Sequence, residues 1–145
     1  MTGMGSRSAD ALLRLPVRLH GDRLGQPVDV LLDRGSHRAL GFVVVCGDDS
    51  LRFLPFAAAQ PGAEEIAVGS ALMLLDDVGF YRSRSESLRS LRGGAVHRNG
   101  RPAGELRDVL VARDGSVAEI LVLQDGHEER LAAEGTTFSP ERAAA

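Results

Sequence analysis

Lysine is absent from this sequence; all 17 basic residues are arginine. That absence excludes lysine chemistry, from Schiff bases to the phosphate-loop lysine. The bias is that of a GC-rich bacterial genome and carries no functional signal. Tryptophan is also absent and tyrosine occurs once, at Tyr81, so aromatics make up 4% of the chain. The core is left to Leu, Val, Ala and five Phe. Cys46 is the single cysteine, which excludes an internal disulfide and any multi-cysteine zinc site. It closes an apolar run at residues 42–46 and reads as a small buried hydrophobe. Positive charge is not in excess: the net charge is −3. A general nucleic-acid binder draws most of its affinity from neutralising phosphates, which needs the opposite sign. No apolar run approaches the roughly 18 residues needed to cross a bilayer. Residues 1–15 lack the continuous apolar stretch of a signal peptide. The expectation is a cytoplasmic chain with no membrane insertion.

What is present is β-rich. The 145 residues suit one domain or two very small ones, and 43% hydrophobic content is enough for a packed core. Strands are expected at residues 15–19, 28–32, 40–46, 51–56 and 66–75. Gly/Asp turns separate them, at His20-Gly21-Asp22, Asp33-Arg34-Gly35-Ser36, Gly47-Asp48-Asp49 and Pro61-Gly62. Short strands with turns every 8–12 residues or so point to a sandwich or barrel. Pro55 marks an edge or a strand end. Residues 1–10 read as a loose tail. Residues 81–90 read as a polar Arg/Ser linker or short helix. Ser83 and Glu86 are spaced as a capping box, and Gly93-Gly94 as a stop.

The most specific signal is internal repetition. A shift of 79 residues lays Leu12 on Leu91, Val17 on Val96, Gly21 on Gly100 and Gly25 on Gly104. It also lays Asp29-Val30-Leu31 on Asp108-Val109-Leu110. One residue is lost in the next turn. At a shift of 78, Phe42-Val43-Val44-Val45 meets Ile120-Leu121-Val122-Leu123, and Arg52 meets Arg130. The organisation expected is a first copy at 11–80, a shortened second copy at 91–140 and a short tail at 141–145.

The pattern of glycines, Asp-Val-Leu, turn, β-branched run and Arg52-Phe53-Leu54-Pro55 resembles the PRC-barrel family, as two tandem copies over residues 12–138. The resemblance implies an all-β fold: two small, strongly bent antiparallel barrels, packed here as a pseudo-two-fold pair. It also implies function. The family's contexts, among them the H subunit of photosynthetic reaction centres and the ribosome maturation factor RimM, use the barrel to hold a partner and have no catalytic residue in it. The expectation is a non-catalytic binding or scaffold protein whose partner is another protein. The alternative is an RNA- or ribosome-associated factor resembling the PRC part of RimM.

Candidate site residues are few. Asp29 and Asp108 each follow a glycine by four residues. They read as acceptors of backbone N–H groups at a bulge or turn made by Gly25 or Gly104, and less readily as acid/base groups. His20, His37, His97 and His127 lie in or beside turns without zinc spacing. No residue is assigned to catalysis, a metal or a cofactor. Arg82, Arg84, Arg89 and Arg92 form the one basic cluster and are candidate contacts for an anionic partner. The apolar runs do not alternate, so both strand faces require cover. Leu31, Leu110, Val43 and Leu121 are expected at an interface between the copies.

Overall fold

In a computed structural model, which describes residues 5–35 and 37–142, the turn residues select the expected antiparallel hairpins. Two-residue loops at His20-Gly21, Asn99-Gly100 and Asp125-Gly126 each hold two residues at positive φ. Hairpin turns of that type match the natural strand twist. His20 and Asn99, equivalent in the repeat, fill the same left-handed position, at φ of 50° and 51°. Ser36, in the expected turn after Asp33, lies outside the described residues.

The chain forms two sheets. The first contains β2 (Val17–Leu19), β3 (Asp22–Asp33), β4 (Ala39–Cys46), β5 (Leu51–Pro55), β6 (Gln60–Pro61) and β7 (Ile66–Ala67), in the order β5-β4-β3-β2-β7-β6. The second contains β9 (Gly94–Arg98), β10 (Arg101–Val111), β11 (Val117–Gln124), β12 (His127–Ala132) and β13 (Thr136–Arg142), in the order β12-β11-β10-β9-β13. Each pairing order has two ends among the described residues, so the sheets are open, unlike the closed barrels expected. Pro55 ends β5, as expected. The long fifth strand expected at 66–75 shrinks to the two residues of β7 and is followed by a 3-10 turn at Ala71–Met73. Ser70 caps that turn by accepting the Leu72 N–H at 3.1 Å.

The expected tail is structured, and the expected linker or short helix contains helical turns and a strand. Arg7–Ser8 is a strand, β1, followed by helix α1 (Ala9–Leu13). Only residues 1–4 of the expected tail lie outside the described residues. Ala9 and Leu12 anchor this arm in the core. Residues 78–91 hold helix α2 (Val78–Arg82), strand β8 (Ser85–Ser87) and helix α3 (Leu88–Leu91). The caps are Asp77 and Ser87, not the Ser83–Glu86 box, because Ser83 is already the C-cap of α2. Of the expected tail at 141–145, Glu141 and Arg142 belong to β13 and the rest lies outside the described residues.

The arms are exchanged between the sheets. β1 pairs with β10, Ser8 opposite Leu110. β8 pairs with β3, Ser87 opposite Leu31. Both pairs differ by the 79-residue shift of the sequence repeat. The register irregularities follow it too. β3 skips Val28 between Pro27 and Asp29, and β10 skips Arg107 between Leu106 and Asp108. A second pair lies at Leu31/Leu32 and Leu110/Val111. The two sheets also touch through equivalent turns. Arg38 bridges Ser116, flanked by the Ala39 N–H to the Gly115 carbonyl at 2.7 Å and the Val117 N–H to the His37 carbonyl at 2.8 Å. The halves differ after β5 and β12: β7 runs parallel to β2, whereas β13 runs antiparallel to β9.

One apolar core lies between the sheets. It takes Val30, Leu32, Phe42, Val44 and Leu54 from the first and Val109, Val111, Ile120, Val122 and Leu131 from the second. Leu31 and Val43 face the other way, into a smaller cluster with Phe53 and Val78. Their side chains are therefore not in the shared core, as the expected interface had them. A strand presents alternate residues to opposite faces, and the shared core uses the other set. Leu110 is buried where β1 pairs, and Leu121 is half-buried.

Two measurements follow from this architecture. Gly104 has φ of +109°, and a Cβ there would stand 2.5 Å from the Leu123 carbonyl oxygen, while Gly100 at +81° has open space. Strain at positive φ costs about 1–3 kcal/mol, and the contact adds to it. Gly104→Ala should lower stability in urea titration clearly more than Gly100→Ala does. Because each sheet borrows its arm from the other half, residues 1–80 and 81–145 expressed separately should show no cooperative thermal transition at the temperature of the whole chain. Circular dichroism melts of the two pieces check this.

Candidate functional site

The bulges at Val28 and Arg107 directly precede Asp29 and Asp108, which are buried at 4% and 6% exposure. These two are the buried carboxylates among the described residues. A carboxylate so enclosed has to be hydrogen-bonded. Each is held by its own following N–H, Val30 to Asp29 Oδ1 and Val109 to Asp108 Oδ1, both at 2.9 Å. Each also accepts an N–H from the first turn of the helix that opens the opposite half. Arg89 of α3 donates to Asp29 Oδ1, and Asp10 of α1 to Asp108 Oδ2, both at 3.2 Å. First-turn N–H groups have no partner inside their own helix, and the carboxylates supply one. The bulges next to the aspartates lie at Val28 and Arg107, three residues beyond Gly25 and Gly104. Register shifts also lie beside the glycines themselves, where β3 pairs with β2 and β10 with β9. Gly25 and Gly104 also allow close approach: a Cβ at Gly25 would stand 2.5 Å from the Val45 carbonyl oxygen.

The two junctions differ in their remaining partners. Ser8 and Ser87 both cap their helices, accepting the Ala11 N–H at 3.0 Å and the Ser90 N–H at 3.4 Å. The Ser87 hydroxyl also donates to Asp29 Oδ2. Asp108 has Arg92 nearby, with Nη2 3.6 Å from its Oδ1 and 3.7 Å from Asp10 Oδ1. Those distances exceed a hydrogen bond, and Arg92 Nε and Nη2 are buried without a hydrogen-bond partner among the described residues. Burial pushes the Asp108 carboxyl above the usual carboxylate range. The Val109 and Asp10 N–H groups and the Arg92 charge pull it back, while the Asp10 charge adds to the rise. This junction forms the floor of an open cavity of about 460 Å³, whose walls include Leu106, Leu121 and Glu128. Neither histidine nor cysteine lines it. It offers the carboxyl groups of Asp10, Asp108 and Glu128, the guanidinium groups of Arg92 and Arg107, the Ser8 hydroxyl and an apolar wall.

The structure separates the four clustered arginines. Arg84 stacks on Phe80, 3.9 Å from the ring centroid. Arg92 turns to the two aspartates, and Arg82 and Arg89 are exposed. Three histidines, His20, His97 and His127, are exposed, and His37 stacks on Phe138 at 5.4 Å. No group of three metal-ligating side chains occurs among the described residues. Cys46 is only half-buried, and partial burial pushes its thiol up against the lowering influence of Arg52. Sequence reasoning missed Ser8, Asp10 and Ser87. The signal was available, because the 79-residue shift also lays Ser8 on Ser87, upstream of the first match at Leu12.

No protein-family model matches this chain, and no curated protein matches it.

The buried carboxyl gives a pH signature. Its folded-state proton affinity exceeds that of the unfolded chain, so its contribution is full below the ordinary carboxylate value. It is lost as pH rises through the raised folded value. The stability of the wild-type chain relative to Asp108→Asn should therefore fall as pH increases across that interval. Urea unfolding of both proteins from about pH 4 to pH 7 measures the difference. A stability of wild type relative to Asp108→Asn that rises with pH would contradict the assignment.

Proposed function

We propose that this chain is a non-catalytic, cytoplasmic scaffold protein built from two tandem PRC-like β modules related by a pseudo-two-fold axis, and that it binds another protein. One observation carries this reading. The two halves exchange their opening arms through the same register, Ser8 with Leu110 and Ser87 with Leu31. The exchange ties the two halves together through β1 and β8. The bridge between Arg38 and its own counterpart Ser116 supports the axis, since a two-fold pairs a residue with its equivalent only where it passes through. The matching bulges support a common module. The resemblance to the PRC-barrel family supplies the kind of role, by analogy of fold.

The alternative, an RNA- or ribosome-associated factor, depends on Arg82, Arg84, Arg89 and Arg92. Two of these are engaged within the chain, by Phe80 and by the aspartate pair. That favours the protein-binding reading.

Salt separates the two. Phosphate binding through several arginines weakens by orders of magnitude between about 50 and about 200 mM salt. Tagged full-length protein recovered from its native cells should retain a protein partner across that range, without nuclease sensitivity. Loss of the partner at the higher salt, or on nuclease treatment, would favour the RNA reading instead.

A further inference from the structure

Equivalent grooves lie beside Gly25 and Gly104, and the two halves fill them differently. The lining of the first includes Arg23, Gln26 and Val45. Gln26 is fully used there. Its amide nitrogen donates to the Leu13 and Leu15 carbonyls at 2.7 and 3.3 Å, and its Oε1 accepts the Arg23 Nη2 at 2.9 Å. A guanidinium from the chain itself therefore sits on the acceptor oxygen of this groove.

In the second half the groove is an open cavity of about 480 Å³. The 79-residue shift puts Glu105 in the place of Gln26 and Pro102 in the place of Arg23. The strand pairings agree. Arg23 lies opposite Arg18 and Pro102 opposite His97, while Gln26 lies opposite Val45 and Glu105 opposite Leu123. The second half has thus lost the guanidinium and made its acceptor anionic. An amide offers both donors and acceptors, whereas a carboxylate offers acceptors alone.

Glu105 is half-buried in a cross-strand row between Ala95 and Leu123. Asp125 and the exposed His97 also line the cavity, and no arginine does. Neither carboxylate has a hydrogen-bond or ion-pair partner among the described residues. Of the arginines on β9 and β10, Arg107 is paired with Glu128 at 3.8 Å, and Arg98 and Arg101 flank the Asn99-Gly100 turn. Partial burial disfavours an unpaired carboxylate, and a cation seated beside it relieves that cost.

We propose that the cavity beside Gly104 is a docking groove for a protein partner, and that the partner supplies the missing guanidinium: an arginine directed to Glu105, with an apolar neighbour packed on Leu123 and Pro102. The inference rests on the protein-binding reading given above and adds the chemistry of the partner. Arginine fits because its planar fork can pair a carboxylate through two parallel N–H donors. Arg23 marks the place of such a group in the sister groove.

The test uses the full-length protein and a library of random twelve-residue peptides displayed on phage. Two variants serve as controls. Glu105→Gln removes only the charge, and Pro102→Arg combined with Glu105→Gln rebuilds the self-filled groove of the first half. Peptides selected on wild type should carry an arginine beside an apolar residue. As synthetic peptides they should move the backbone amide NMR signals of Ala95, Glu105 and Leu123. They should bind both variants at least about tenfold more weakly by fluorescence anisotropy, as expected for the loss of one charge-assisted hydrogen bond. Thermal melts confirm that the variants are folded, and the NMR measurement on wild type stands alone if either is not. Peptides without an arginine, signals that move only on other strands, undiminished binding to the folded variants, or no enrichment at all would each overturn the groove. The scaffold reading would still stand, because partner retention in salt judges it separately.

Discussion

A carboxylate that leaves water must find donors, and in this protein it finds them on the opposite half of its own chain. Asp29 holds the first turn of α3, and Asp108 holds the first turn of α1. Each acid is fixed by the bulge before it, and each helix start is fixed by the acid. Neither helix is longer than five residues. Helices that short are not stable by themselves in water. They persist because the carboxylates take their unpaired N–H groups and because Leu12 and Leu91 enter the shared core. Removing either acid would leave buried donors unsatisfied, at about 1–3 kcal/mol for each group. The β strands, the arms and the core between the sheets are organised around these two junctions.

The same duplication shows where the halves have diverged. The first sheet is apolar on both faces, so it needs both the shared core and a roof. The chain supplies the roof with Val78 and Tyr81. The second sheet has replaced part of its outer face with Arg107, Arg130 and Glu128, which tolerate water. Leu121 remains, half-buried beside a buried acid.

Much of this fold was legible in the sequence because repetition and turn chemistry are local properties. His20-Gly21 and Gly47-Asp48-Asp49 announce turns by their backbone needs, and the 79-residue shift aligns the bulged strands. Partner choice was not legible. The run of residues 42–45 requires cover on both faces, but nothing in its composition says which alternate set meets the sister sheet. Hence Leu31 and Val43 were assigned to the shared core, which uses Val30, Leu32, Phe42 and Val44. Arg52 and Arg130 were aligned at a shift of 78, yet Arg52 lies opposite Val44 while Arg130 lies opposite Leu121. A two-residue loop between β11 and β12 replaces the longer one between β4 and β5 and slides the register by one. Residues 1–10 read as a tail because they are rich in Gly, Ser and Thr, and residues 81–90 as a polar linker or short helix because Arg and Ser dominate them. Their order comes from pairing with distant strands, a tertiary effect invisible to local propensity. The site suffered most: Asp108 was recognised as a backbone acceptor, but its donor, Asp10, lies 98 residues away.

The exchanged arms belong to the cooperative unit of the whole chain. Native-state hydrogen exchange of the full-length protein in low denaturant tests it most directly, through the amides of Asp10 and Arg89, which donate to the two buried acids. Both should exchange only through the same global opening that releases core amides such as Val109 and Val30, with equal free energies and equal denaturant dependence. Exchange of Asp10 and Arg89 through local fraying, at low free energy and without denaturant dependence, would contradict it.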